Sequence, residues 1–389
     1  MKRRILIFLL VITLIIPMTV GFSSCDNSNE ESTNDTIVLN VYNWGEYMPL
    51  SEDEDGYDLN SAFEAWYYET YGKRIKVNYD MFSSNEELRA KLEANAVSYD
   101  IIIPSDYMID YFVNNDMLLP INFDNIPNYK NIGDDFKNLY YDTENKYSVP
   151  YTYSTIGIIY NAEKVAPSDV EAMGWEVMWS EKYRDAGILQ FNNSRDAFGI
   201  AMYNLGIDVN TTDKSEWDRA YNKLVDQQGV IYGRVMDEIY NFMEVGETSI
   251  GAYYAGDYFT MLDNQVDGVD LRCYTPDNTN VFVDAMCIPK TCRNKDAAEA
   301  YINFILSVEA GTALADYLYY GTPNTAVRNN PDYLSDLTPE EKQEVMDVIY
   351  PSNFDFKASF NKNAYRDLNT LSPEIHAYMT ELWEKLIIQ

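Results

Sequence analysis

The chain is poor in the residues that most often carry chemistry. It has one histidine in 389 residues, His376, in a C-terminal stretch with helical spacing. A Ser/His/Asp or Cys/His apparatus would have to be built on that residue, and no nucleophile-elbow motif accompanies it. Zinc held by histidines is excluded on the same ground. Cysteine is nearly as scarce. Beyond Cys25 there are only Cys273, Cys287 and Cys292, an odd set that cannot close a full disulfide framework and has no CxxC spacing for zinc. One bond among the three stays open. Phosphate-loop and dinucleotide fingerprints are missing. Basic residues are few: 29 Lys and Arg stand against 62 Asp and Glu, a net charge of −33. That balance excludes nucleic acid or an acidic membrane surface as a partner, because phosphate binding needs a basic face. It favours a cationic ligand. A pair of carboxylates could hydrolyse a glycoside, but among so many acids no pair stands out. An enzyme is not expected, nor a cofactor or a bound metal.

Long apolar runs are also rare. The only one covers residues 5–20; it follows Lys2-Arg3-Arg4 and is interrupted by Thr13, Pro17 and Thr19. A basic start, a short apolar run and small residues before a cysteine read as an export signal over 1–24. The run is short and polar for a membrane span. Phe22-Ser23-Ser24-Cys25 resembles a bacterial lipobox, with Phe22 where Leu is usual. That resemblance implies a lipid on Cys25 and a flexible, polar tether over 25–36, so the protein would sit outside the cytoplasm, anchored to the cell membrane.

Aromatics are abundant, with 34 Tyr. The remaining ~360 residues predict two domains. Strand and helix signals alternate: strand over 37–43, helix over 61–71, strand over 74–79, helix over 85–95 and a short buried strand over 100–104. This rhythm predicts a largely parallel sheet with flanking helices. A second set follows, with strands over 153–160, 187–191, 249–254 and 280–288. Helices are expected over 194–205, 216–225, 295–307, 339–349 and 374–388. The acidic stretch 51–55 reads as a solvated loop.

Three aromatics surround one carboxylate in Tyr42-Asn43-Trp44-Gly45-Glu46-Tyr47, directly after the first strand. Open α/β sheets bind ligands at the carboxyl ends of their strands. Rings attract cations through their faces, and a carboxylate bonds their N–H donors. Packing aromatics at a strand end would look the same, so later segments must decide. Asp284 decides most: an acid inside an apolar strand is costly unless paired.

Five segments, YNWGEYMP at 42–49, SYDIIIPSDYMID at 98–110, AYYAGDYF at 252–259, VFVDAMCIP at 281–289 and YGTPN at 320–324, occur in order. Together they resemble the spermidine/putrescine-binding proteins of bacterial ABC importers over roughly 37–330. The resemblance implies a type II periplasmic-binding-protein fold, two α/β lobes joined by crossover strands with an interdomain ligand cleft. Lobe 1 would hold 37–150 and 283–330, and lobe 2 would hold 151–282 and 331–389. It implies a polyamine, putrescine or spermidine, as ligand, permease subunits of an ABC transporter as partners, and a monomer. In that site Trp44 and Tyr47 would wall the aliphatic chain and Glu46 would meet an ammonium. Ser105 and Tyr107 would line the cleft. Asn193 and Asp196 stand where the family has two acids. Tyr254 and Phe282 replace family tryptophans, Asp257 and Asp284 match family acids, and Tyr320 matches the tyrosine before the T-P-N turn. Glu384 would replace a family glutamine. An amide at Asn193 together with Asp257 leans toward putrescine. Two alternatives stay open: a ferric-ion-binding protein of related fold, suggested by the tyrosine pairs 253–254 and 319–320, and a sensor lipoprotein that binds ligand without transport.

Overall fold

The computed structural model describes residues 36–50, 57–95, 97–351 and 354–388. The expected export signal, Cys25, nearly all of the tether and the acidic stretch 51–55 lie outside the described residues. Among the described residues no helix is long and apolar enough to cross a membrane.

The expected β-α-β-α-β unit is present. Strand β1 (Ile37–Trp44) pairs in parallel with β2 (Ile75–Phe82) and with β3 (Ile101–Ile102). The helix between β1 and β2 covers Leu59–Tyr71. It starts two residues earlier than its apolar spacing predicts, because the Asp58 side chain accepts from the N–H groups of Asn60 and Ser61, a standard N-cap. Gly72, at φ 65°, ends it in the left-handed conformation that a side chain would disfavour. Ser84 caps the next helix, Asn85–Ala94.

The strands that follow are β4 (Ser148–Asn161), β5 (Ile188–Phe191), β6 (Gly233–Val235), β7 (Ile250–Tyr254), β8 (Leu271–Tyr274) and β9 (Val281–Cys287). Among the described residues they complete one sheet in the order β2-β1-β3-β9-β4-β7-β5-β6, with β8 also on β4. The sheet is less parallel than expected. β9 runs antiparallel to both β3 and β4, and β4 runs antiparallel to β7 and β8. β4 is also longer than the predicted 153–160, since it begins at Ser148 and absorbs Pro150 at an irregularity in its register with β9. Proline is tolerated at such bulges because no ladder hydrogen bond is required of it there. Its first half pairs with β9 and its second half with β7 and β8, so the long strand joins two parts of the sheet.

The apolar faces form two clusters. Leu39, Val41, Ile101 and Ile103 pack with Phe63, Tyr301 and Ile302 from flanking helices. Ile188, Phe191 and Ile250 pack with Phe198, Trp217 and Phe259 in a second, larger cluster. The predicted helix over 295–307 stops at Ile305, and Ser307 caps a further helix, Val308–Leu318. Apolar spacing runs through both, so only the cap marks the break.

Candidate functional site

β9 supplies the centre of the site. Asp284 lies opposite Thr152 of β4 and is 4 % exposed. The Tyr47 hydroxyl donates to its Oδ2 at 2.6 Å, and Thr152 Oγ1 lies 2.6 Å from the same phenol oxygen. Ser105, bridged to Asp284 across the chain, brings its hydroxyl near enough to lower the Asp284 carboxyl. The second carboxylate oxygen, Oδ1, is buried and has no hydrogen-bond partner among the described residues. Burial raises the Asp284 carboxyl to about 6, against the lowering by Tyr47 and Ser105. A buried charge is costly unless paired, so this half-satisfied acid needs a donor.

Two further acids repeat the pattern. Asn193 caps the helix Ser194–Leu205: its Oδ1 accepts the Asp196 N–H at 2.8 Å, and its Nδ2 donates to Asp196 Oδ2 at 2.8 Å. The amide therefore orients the acid. Tyr254, at the end of β7, donates its hydroxyl to Asp196 Oδ2 at 3.1 Å, and burial raises the Asp196 carboxyl. Asp257 opens the helix Asp257–Asn264 and accepts from the Tyr320 hydroxyl at 3.1 and 3.2 Å. Burial lifts its carboxyl to about 7. Among the described residues none of these three acids belongs to an ion pair. The guanidinium of Arg195, the cation that bears on Asp196, is hydrogen-bonded instead to the Val209 and Arg366 carbonyls and to Asn210.

Rings join the acids. Phe282 meets Tyr254 edge-on at 5.5 Å and Tyr320 at 6.3 Å. Tyr320 meets Tyr47 edge-on at 5.5 Å. Gly256 makes this packing possible, because a Cβ there would stand 2.3 Å from the Tyr320 ring. Tyr107 is held by Asn85, whose Nδ2 donates to its hydroxyl at 3.0 Å, and the charge of Asp196 adds to the burial that raises its phenol. Trp44 packs on Phe82 at 4.6 Å, with its indole N–H unpartnered among the described residues. Glu46 is exposed on a turn at φ 51° and accepts from the Tyr317 hydroxyl at 3.2 Å.

Tyr47, Ser105, Tyr107, Asn193, Asp196, Tyr254, Asp257, Phe282, Asp284 and Tyr320 thus form one connected set, with Trp44 and Glu46 on β1 and its following turn. Glu384 stands outside it. The last helix buries Ile375, Met379, Leu382 and Leu386, a spacing that turns Glu384 to the exposed side. Sequence reasoning missed Thr152, Asp106 and Tyr240. Thr152 interrupts an apolar strand, a readable signal. Asp106 is 1 % exposed, accepts the Val283 N–H at 3.2 Å and is raised by burial to about 8. Tyr240 supports Asp257 from a helix that nothing in the sequence tied to the site. The hydroxyls of the pair Tyr253-Tyr254 do not converge on one point. Tyr253 and Tyr254 bond different acids, Asp237 and Asp196, and burial disfavours both phenolates.

Residues 61–339 match the model of a family described as bacterial extracellular solute-binding proteins. The chain is similar to the spermidine/putrescine-binding periplasmic protein of Escherichia coli K12, with 30% identity over 309 residues, covering 78% of this chain and 83% of that protein. It is 26% identical over 320 residues to the putrescine-binding periplasmic protein PotF of the same organism, covering 76% and 82%. In structure it is similar to the spermidine/putrescine ABC transporter substrate-binding protein PotD of Streptococcus pneumoniae, with TM-score 0.72 and 28% identity, covering 91% of this chain and 99% of that one.

Proposed function

The chain belongs to the bacterial extracellular solute-binding protein family, and from that premise we propose that it captures a polyamine between two lobes and delivers it to an ABC importer. Such a protein is a transport component rather than an enzyme and works outside the cytoplasm. One observation carries the ligand class: Asp196 and Asp284 are buried and Asp257 is half-buried among rings, all three bonded to phenols and not to cations. A polyamine supplies what they lack. Its ammonium groups donate to the carboxylates, and its methylenes lie against the rings. A charge-assisted hydrogen bond contributes roughly 1.5–3 kcal/mol, and a ring–cation contact about 0.5–2 kcal/mol.

We assign 37–150 with 283–330 to one lobe and 151–282 with 331–389 to the other. The crossing of β4 from β9 to β7 and β8 supports that division. Lobe closure around the ligand would then create the surface read by the permease, a hinge mechanism of a common kind. A lipid on Cys25 would hold this monomer at the membrane. The amide at Asn193 and the acid at Asp257 favour putrescine over spermidine. The iron reading finds no support in Tyr253 and Tyr254, whose hydroxyls bond different acids.

Calorimetric titration of the unlipidated protein against putrescine, spermidine, ferric ion and an amino-acid panel tests the proposal. A micromolar or tighter complex with a polyamine, about −8 kcal/mol or stronger, is expected. No heat with either polyamine sinks it.

A further inference from the structure

One other side chain on the floor of the site is buried and unsatisfied. Ser154 of β4 is 4 % exposed, and its Oγ has no partner among the described residues. The β4–β9 register sets Thr152 opposite Asp284 and Ser154 opposite Phe282. Residues opposed across an antiparallel pair share a face, and residues two apart along a strand stay on it. Contacts agree with that face. Thr152 and Asp284 meet the same Tyr47 phenol, and Phe282 meets Tyr254. Tyr153, between them, turns the other way, against Gly321 and Phe136. Ser154 therefore lies on the diagonal from Asp284, a relation that sets the two residues about 7–8 Å apart and their Cβ atoms somewhat closer. Two side-chain oxygens reaching toward each other from that separation can both accept from one nitrogen.

We propose that Ser154 Oγ and Asp284 Oδ1 together seat one primary ammonium group. The inference rests on the polyamine reading of the same cleft and adds to it a ligand-binding residue and a chemical selectivity. An –NH3+ group has three donors. One meets the orphaned carboxylate oxygen and one meets the serine hydroxyl, while the attached methylene lies toward Phe282. A quaternary ammonium carries the same charge but no N–H. It would satisfy the charge of Asp284 and leave both oxygens without a hydrogen bond, which burial penalises. The pair of acceptors thus selects primary amines against their fully methylated analogues.

The test compares putrescine with 1,4-bis(trimethylammonio)butane on the wild type, Ser154→Ala and Ser154→Thr. Ser154→Ala should bind putrescine about tenfold more weakly, the loss of one hydrogen bond to a charged group. Its affinity for the quaternary analogue should not change, so the preference for the primary amine narrows about tenfold. Ser154→Thr keeps the hydroxyl and should retain more of the preference. The urea midpoint of free Ser154→Ala should equal or exceed that of the wild type, because the change removes an unpaired buried hydroxyl. Unchanged putrescine affinity in Ser154→Ala overturns the inference. Equal loss for both ligands also overturns it, since that marks a packing effect. A wild type that binds no polyamine sinks the functional reading first and this one with it.

Discussion

Replacing Asp284 by asparagine should strengthen the free protein while weakening its ligand complex. The amide keeps the shape of the carboxylate and can still accept from the Tyr47 hydroxyl, now 2.6 Å from Oδ2. It removes a charge that burial opposes. The Asp284 carboxyl is raised from 3.8 to about 6. A carboxyl raised on folding contributes stability that is fully present below its unfolded value and lost as pH rises through its folded value. At pH 7.5 the ionised group therefore costs the free protein on the order of 2–3 kcal/mol. Asp284→Asn should recover most of that in urea unfolding at pH 7.5, and the gain should vanish below about pH 4. Binding moves the other way. Loss of a charge-assisted hydrogen bond of about 1.5–3 kcal/mol weakens polyamine affinity at least tenfold, as measured by calorimetry. A variant that unfolds at lower urea at pH 7.5, yet binds polyamine as the wild type does, would refute both the unpaired state of Asp284 and its place in the site.

Two other substitutions separate packing from contact. Gly256→Ala places a Cβ 2.3 Å from the Tyr320 ring, so it should cost about 1–3 kcal/mol of stability by overpacking and weaken ligand binding by displacing the Tyr320–Asp257 hydrogen bond; urea melts and titration check both. Glu384→Gln should leave polyamine affinity within about twofold of the wild type, a change of about 0.4 kcal/mol or less, because Glu384 sits on the exposed side of the last helix. A tenfold loss on titration would return Glu384 to the site.

Much of the site is legible in the chain because polar residues in apolar strands advertise themselves. Asp284 is a charged residue in the otherwise apolar strand VFVDAMC. Aromatic ends of strands are equally visible, as at Trp44, Tyr47 and Tyr254. The rest depends on tertiary pairing. The direction of β9 could not be read, because a buried strand has the same composition in either orientation and only its partners β3 and β4 set it. Asp106 was hidden for a related reason: an acid in the first turn of a helix reads as a dipole partner, whereas here it also accepts from the backbone of β9. Glu384 shows the opposite failure. The family resemblance set it where a glutamine would meet the ligand, while the apolar spacing of Ile375, Met379, Leu382 and Leu386 places it on the outer face. The amide at Asn193 also gains a physical meaning only in three dimensions, where it bonds both the backbone and the carboxylate of Asp196.

The protonation of the buried acids offers the sharpest test of whether they are held for a cation. Asp257 is raised to about 7 and Asp284 to about 6, and an ammonium ligand binds their ionised forms. Putrescine affinity should be full only above about pH 8 and fall as pH drops through 7 and then 6, with protons released on binding in that window. Titration calorimetry at pH 7.5, 6.5 and 5.5, in buffers of different ionisation enthalpy, measures both quantities together. Weaker binding at low pH with net proton release at about pH 6.5 is the expected result. Affinity that stays constant across this range, or proton uptake on binding, would contradict a site built from carboxylates withdrawn from water and left without a cation.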